Sequence, residues 1–157
     1  MKDLNMVFAG FGGQGVLFAG KVVAYAGLIE GRELSWLPSY GPEMRGGTAN
    51  CSVCLSDEAI GSPLVTNPNV LVAMNRPSLE KFVNEVEPGG VILLDSSLID
   101  VQVERDDVTT YYVPASTLAE ENGLKGLANI ILVGKLFKEV GFCSEETLSL
   151  IHISEPT

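Results

Sequence analysis

The chain is predicted to fold as one three-layer α/β domain, a mostly parallel sheet with helices on both faces. Three observations predict it. A short apolar run, Leu4 to Ala9, flows into a cluster of glycines, and a helical repeat follows at once. Two continuous apolar runs, Val70 to Met74 and Val91 to Leu94, have the character of strands covered on both faces. Between them Leu79, Phe82, Val83 and Val86 recur at helical spacing, with Pro77 in a first-turn position and Pro88-Gly89-Gly90 as the stop, which completes a βαβ unit.

The elements follow in order. Leu4 to Ala9 reads as a buried strand. Val16, Leu17, Ala19, Val22, Val23, Ala26 and Leu28 then repeat as a helix, with Gly31 placed to end it. A second short strand is expected from Glu33 to Leu37, and a loop from Pro38 to Thr48 holds two prolines and three glycines. Ala49 to Leu55 alternates as a strand should, and Ser56-Asp57-Glu58 reads as its turn. Beyond the βαβ unit, Thr109 to Val113 is a further strand, Ala115 to Glu121 a short helix, and Leu127 to Val140 a longer one ending at Gly141. That last helix is apolar around most of its circumference, which suits a subunit interface as well as a core, with Gly126 and Gly134 permitting close approach.

Composition narrows the function classes. The 157 residues suffice for a single core without disulfide or metal support, and the net charge of −10 repels nucleic acid and anionic membrane. No apolar run reaches the ~20 residues of a membrane span. The three cysteines, an odd number with no secretory leader before them, point to a reducing cytoplasm.

Gly10, Gly12 and Gly15 form G-x-G-x-x-G directly after a strand and before a helix, the Rossmann-like arrangement. Glycine lets the backbone approach a phosphate, and a helix N-terminus offers free N–H groups and partial positive charge. The same glycines would also serve a sharp turn alone. A nicotinamide site wants an acid at the end of the second strand, where this chain has Ser35-Trp36-Leu37-Pro38; Glu30 and Glu33 lie at the wrong end. The Gly-Lys-Ser/Thr ending of a nucleoside triphosphate loop is missing as well.

A second loop, Ser39 to Asn50, reads SYGPEMRGGTAN. Arg45 between its glycines can present a fork to phosphate or carboxylate, or pair internally with Glu43. With GFGGQGV at Gly10 to Val16, SYGPEMRGGTANCSV at Ser39 to Val53, and the later VLVAMN and PGGVILLDSSLI, the sequence resembles the gamma subunits of 2-oxoacid:ferredoxin oxidoreductases, in a form nearer to the 2-oxoglutarate and branched-chain types. The resemblance runs from Met6 to Gly141.

It implies a division of labour. Thiamine diphosphate with Mg²⁺ would sit on alpha and beta partners, [4Fe–4S] clusters on beta or a ferredoxin-like delta subunit, and ferredoxin would accept the electrons. The gamma chain would help to receive coenzyme A, with Gly10, Gly12, Gly13, Gln14, Gly15 and Arg45 as the residues that bind it. No residue here would be catalytic and none would hold a metal. The domain would occupy residues 1–143, with 144–157 a truncated or foreign tail.

The remaining chemistry-bearing residues agree with that division. A cubane needs four thiolates and the chain has three cysteines; Cys51 and Cys54, three apart on a strand, should face opposite ways and pack as buried apolar groups. His152 has no nucleophile and acid arranged around it. Asp95, at the end of a strand, stands where α/β folds bind ligands, or caps its own turn. Two other classes stay open at this stage: a stand-alone NAD(P)-dependent oxidoreductase and a nucleotide-sensing module. Tight binding of an adenine nucleotide by the isolated chain would favour the latter.

Overall fold

The computed structural model describes residues 3–11, 15–39, 48–58, 67–123, 127–144 and 146–147. Its six strands form one sheet: β1 (Leu4–Phe11), β2 (Glu33–Ser39), β3 (Thr48–Ser56), β4 (Val70–Ala73), β5 (Val91–Asp95) and β6 (Thr109–Val113), in the spatial order β2-β3-β1-β4-β5-β6. The helices are α1 (Val16–Ile29), α2 (Arg76–Phe82), α3 (Ala115–Glu121) and α4 (Ala128–Val140), with a 3₁₀ turn at Val83–Glu85. The predicted three-layer α/β class holds. β1, β4, β5 and β6 run parallel, whereas β3 pairs antiparallel with both β1 and β2.

Alternation along the strands divides the core in two. Met6 and Phe8 of β1, Val70 and Val72 of β4, Leu93 of β5 and Cys51, Val53 and Leu55 of β3 face α1 and α4. Val7, Ala9, Leu71, Ala73, Ile92 and Leu94 face the other way, against Leu79 of α2, Val86 and Ile99. Helices therefore cover both faces, and this explains why β4 and β5 read as unbroken apolar runs.

Several boundaries differ from the sequence expectation. β1 continues through Gly10 to Phe11, because Gly10 pairs with Ala49 and Phe11 with Thr48 on β3. Gly10 belongs to the sheet and not to the loop. β2 extends to Ser39 through Pro38, which is tolerated because β2 lies at the sheet edge, where a missing N–H donor costs nothing.

α1 lies close on β3, and glycine is what allows it. A Cβ at Gly20 would fall inside contact distance of Cys51 Sγ, and one at Gly27 inside contact distance of Leu55 Cδ2. Seven residues apart, the two share one helix face. α4 is packed on several sides, as its apolar circumference leads one to expect, with Ala128, Ile131, Phe137 and Val140 also against the core. It buries Asn129, Leu132, Val133 and Leu136, while Gly134 meets open space. Outward apolar side chains include Phe18, Tyr25, Leu28 and Ile29 on α1 and Leu127 just before α4.

The far side of the sheet is closed by the segment 96–108. Arg105 donates from Nη1 to the carbonyls of Val83 at 2.8 Å and Val86 at 2.7 Å, and grips Asp107 through Nε and Nη2 at 2.9 and 2.7 Å. Ser144 and Thr147, which the sequence reading assigns to the tail, both hydrogen-bond to Glu30 Oε2 just past α1. Among the described residues no helix is long and apolar enough to cross a membrane.

Candidate functional site

β1 and β4 are parallel neighbours, and the helices that follow them leave for opposite faces. α1 joins the core that contains Met6 and Phe8, whereas α2 joins the one that contains Val7 and Ala9. A right-handed crossover from each strand to a partner on opposite sides requires this divergence, and the point between them is where an open α/β sheet leaves a crevice. The glycine-rich segment begins at this point.

At the mouth of the crevice α1 starts without a side-chain cap and without an acid in its first turn. Among the described residues no side chain caps its leading N–H groups, which is the condition under which a helix N-terminus attracts an anion. Gly15 stands at the cap position with φ 72° and ψ 31°, the left-handed region that favours glycine. Close packing also excludes a side chain there, since a Cβ would lie 2.5 Å from Asn129 Nδ2. That same Nδ2 donates to the Gly15 carbonyl at 3.2 Å, so the first turn of α4 buttresses the first turn of α1.

Of the residues assigned to coenzyme A, the structure places Gly10 on β1 and Gly15 at the start of α1. Gly12, Gly13, Gln14 and Arg45 lie outside the described residues. The anchors of both loops can still be compared. Ser39 ends β2 opposite Asn50, and Thr48 begins β3 opposite Phe11, so the Arg45 loop leaves and rejoins the sheet at the end of β1 where the glycines start. Two motifs some 30 residues apart in sequence are thus brought to one end of one sheet.

The strand order also decides the nicotinamide question against that reading. β3 stands between β1 and β2, so the end of β2 is two strand spacings, roughly 10 Å, from the end of β1. An acid at the end of β2 would be displaced by that distance from the position beside the glycine loop. Glu30 is engaged beyond the far end of α1, where the hydrogen bond from Thr147, followed by that from Ser144, holds its carboxyl below the usual range.

Asp95, at the end of β5, is occupied locally. It is 1% exposed and accepts from Ser97 N at 3.1 Å, Ser116 N at 3.3 Å and Ser116 Oγ at 2.5 Å. The carboxylate clamps its own turn to the start of α3, the capping role. Cys51 and Cys54 do face opposite sides of β3, and all three cysteines are free and buried. Burial pushes the Cys51 thiol up to about 12 and the Cys143 thiol to about 11. Neither is a ready nucleophile or metal ligand.

One residue escaped the sequence reading. Asn75 follows β4 at the crevice and caps α2, its Oδ1 accepting from Ser78 N at 2.9 Å. The signal was available in Asn75-Arg76-Pro77-Ser78, an asparagine just ahead of a first-turn proline.

Comparison with known proteins bears on this arrangement. Residues 5–151 match the family described as pyruvate ferredoxin/flavodoxin oxidoreductase. The ketoisovalerate oxidoreductase subunit VorA of Methanothermobacter marburgensis is 44% identical over 133 residues, which are 85% of this chain but 28% of that protein. The 2-oxoglutarate synthase subunit KorC of Methanocaldococcus jannaschii is 36% identical over 150 residues, covering 94% of this chain and 79% of that one. The chain thus spans little more than a quarter of its VorA relatives and most of its KorC relatives.

Among solved structures, the gamma subunit of a keto/oxoacid ferredoxin oxidoreductase from Geobacter sulfurreducens superimposes with a TM-score of 0.83 at 27% identity, over 98% of this chain and 87% of that one. The 2-oxoglutarate:ferredoxin oxidoreductase from Magnetococcus marinus, with 2-oxoglutarate, coenzyme A and succinyl-CoA bound, gives 0.84 at 27% identity over 96% of this chain and 26% of that one.

Proposed function

The chain belongs to the pyruvate ferredoxin/flavodoxin oxidoreductase family, and on that premise we propose that it is the gamma component of a 2-oxoacid:ferredoxin oxidoreductase, contributing coenzyme A binding and assembly. The observation that carries this reading is the crevice between β1 and β4, with an uncapped α1 at its mouth, in a fold shared with a coenzyme A-bound relative. The assembled enzyme would convert a 2-oxoacid and coenzyme A to acyl-coenzyme A and carbon dioxide, with the electron pair leaving to ferredoxin.

This chain's part in that reaction is to hold and orient. The free N–H groups of the α1 first turn would take phosphate oxygens of coenzyme A, and the bare Gly15 lets them approach. Gly10, Gly12, Gly13, Gln14 and Arg45 remain the proposed companions on the two loops. Thiamine diphosphate, Mg²⁺ and [4Fe–4S] clusters belong, on this reading, to alpha, beta and delta partners. The exposed face of α1, with Tyr25 49% and Leu28 61% exposed, supplies apolar surface of the kind that a subunit contact covers. Relatives named for ketoisovalerate and for 2-oxoglutarate support a branched-chain or 2-oxoglutarate substrate, whose pocket would lie on other chains.

Anaerobic affinity purification of the chain at its natural level, with partners identified by mass spectrometry and the visible spectrum recorded, tests the proposal. Thiamine-binding partners and a brown iron–sulfur absorbance are expected. A colourless chain recovered alone would overturn it. In the assembled enzyme, Arg45→Ala should raise the apparent coenzyme A requirement and leave thiamine-dependent decarboxylation largely intact; an unchanged requirement removes Arg45 from the site.

A further inference from the structure

The hydrogen bond from Met74 N to Ala9 O at 2.8 Å carries the β1–β4 ladder one residue past the end of β4. Met74 therefore stands beside Gly10, and Asn75 follows it with an extended backbone (φ −151°, ψ 165°), at the point where the strand ends diverge. Its amide is used on one side only. Oδ1 accepts from Ser78 N, and this bond fixes the orientation of the group, because an amide turned the other way would set two donors against each other. Nδ2 is then left out of the cap.

That Nδ2 is fully buried, in a residue 2% exposed, and it has no hydrogen-bond partner. Ser78 Oγ, in a residue 0% exposed, lacks one too. Buried polar groups in folded proteins are almost always satisfied, and an orphan calls for an explanation such as an absent ligand. The position suggests one: Asn75 follows β4 where the chain leaves the sheet next to the end of β1, and α1 starts without a side-chain cap just past that end.

We infer that Asn75 is a positioning residue for the ligand of this crevice, its Nδ2 donating to an acceptor oxygen of coenzyme A, either a diphosphate oxygen or a pantetheine carbonyl. The inference rests on the coenzyme A reading above. It does not invoke the N-terminus of α2, which is too short to carry a site; it concerns a side-chain donor that the cap leaves free.

Asn75→Asp separates the two functions of the side chain. A carboxylate still accepts from Ser78 N, so the cap should be kept, but the donor is replaced by a negative charge. Coenzyme A affinity of the assembled complex, measured by titration calorimetry without turnover, should fall at least tenfold. Asn75→Ser also caps a helix, is neutral, and is too short to reach; it should weaken binding several-fold, and it decides the matter if the aspartate variant does not assemble. Parallel titrations with ADP and with pantetheine identify which oxygen is held, by which of the two loses affinity. Wild-type affinity in both variants overturns the inference while leaving the coenzyme A site standing, whereas a wild-type complex that binds no coenzyme A overturns both.

Discussion

Asn129 Nδ2 reaches the carbonyl oxygen of Gly15 at 3.2 Å, joining residues 114 apart in sequence, and the same nitrogen occupies the space a Gly15 side chain would need. One contact thus supports the start of α1 and enforces glycine there.

From this pair comes a double-mutant prediction. Gly15→Ala combines a left-handed backbone with a steric conflict and should cost about 1–3 kcal/mol, while Asn129→Ala should cost about 1 kcal/mol for the lost hydrogen bond. Truncating Asn129 relieves the conflict, so the double variant should be less destabilised than the sum of the two. Chemical denaturation of all four proteins checks this; strict additivity would mean that the two residues do not compete for the space.

Gly20 and Cys51 form a similar pair across the α1–β3 contact. Gly20→Ala overpacks a close helix–sheet approach and should destabilise by about 1–3 kcal/mol. Adding Cys51→Ala, which removes the sulfur in the way, should recover much of that loss. Recovery by Leu55→Ala would not be expected, since Leu55 opposes Gly27.

Thiol reactivity follows from burial. With Cys51 pushed up to about 12 and Cys143 to about 11, neither forms appreciable thiolate at pH 8, and all three cysteines are buried. Iodoacetamide should leave the native protein unlabelled over a period in which the denatured chain is alkylated at all three positions. Rapid native labelling of Cys51, read by peptide mass spectrometry, would contradict the packing of α1 on β3.

Arg105 and Asp107 predict a pH dependence. The hydrogen bonds from Arg105 hold the Asp107 carboxyl below its usual range. A carboxyl whose folded value is depressed stabilises the fold above its unfolded value, about 3.9, and that contribution is lost as pH falls through the folded value. Asp107→Asn should therefore lower the melting temperature at pH 7, and the gap should close in acid below about pH 4. A gap that persists there would assign the effect to packing and not to the ion pair.

Most elements were legible before the fold was known because each is encoded locally. β6 and α3 fall at the expected residues, and β4, β5 and α4 fall within one residue of them at each end, since apolar runs, helical spacing and glycine stops act over a few neighbours. β1 ran longer than expected because Gly10 has a partner on β3, and a pairing partner is not a local property. Asn75 was passed over for a related reason: its cap is local, but the lack of a partner for Nδ2 depends on what surrounds it.

What the sequence by itself determined is the α/β class, the strand–glycine–helix junction, the family motifs and the exclusion of a four-thiolate cluster. Strand order was decided only in the tertiary structure. The pattern of β3 marks it as a strand but carries no record of its neighbours, and its antiparallel insertion between β1 and β2 displaces the end of β2 and gathers the anchors of both motif loops at one end of the sheet. Pairing is a long-range choice, settled by which apolar faces can be buried together. The crevice between β1 and β4 exists because α1 and α2 cover opposite faces of the sheet.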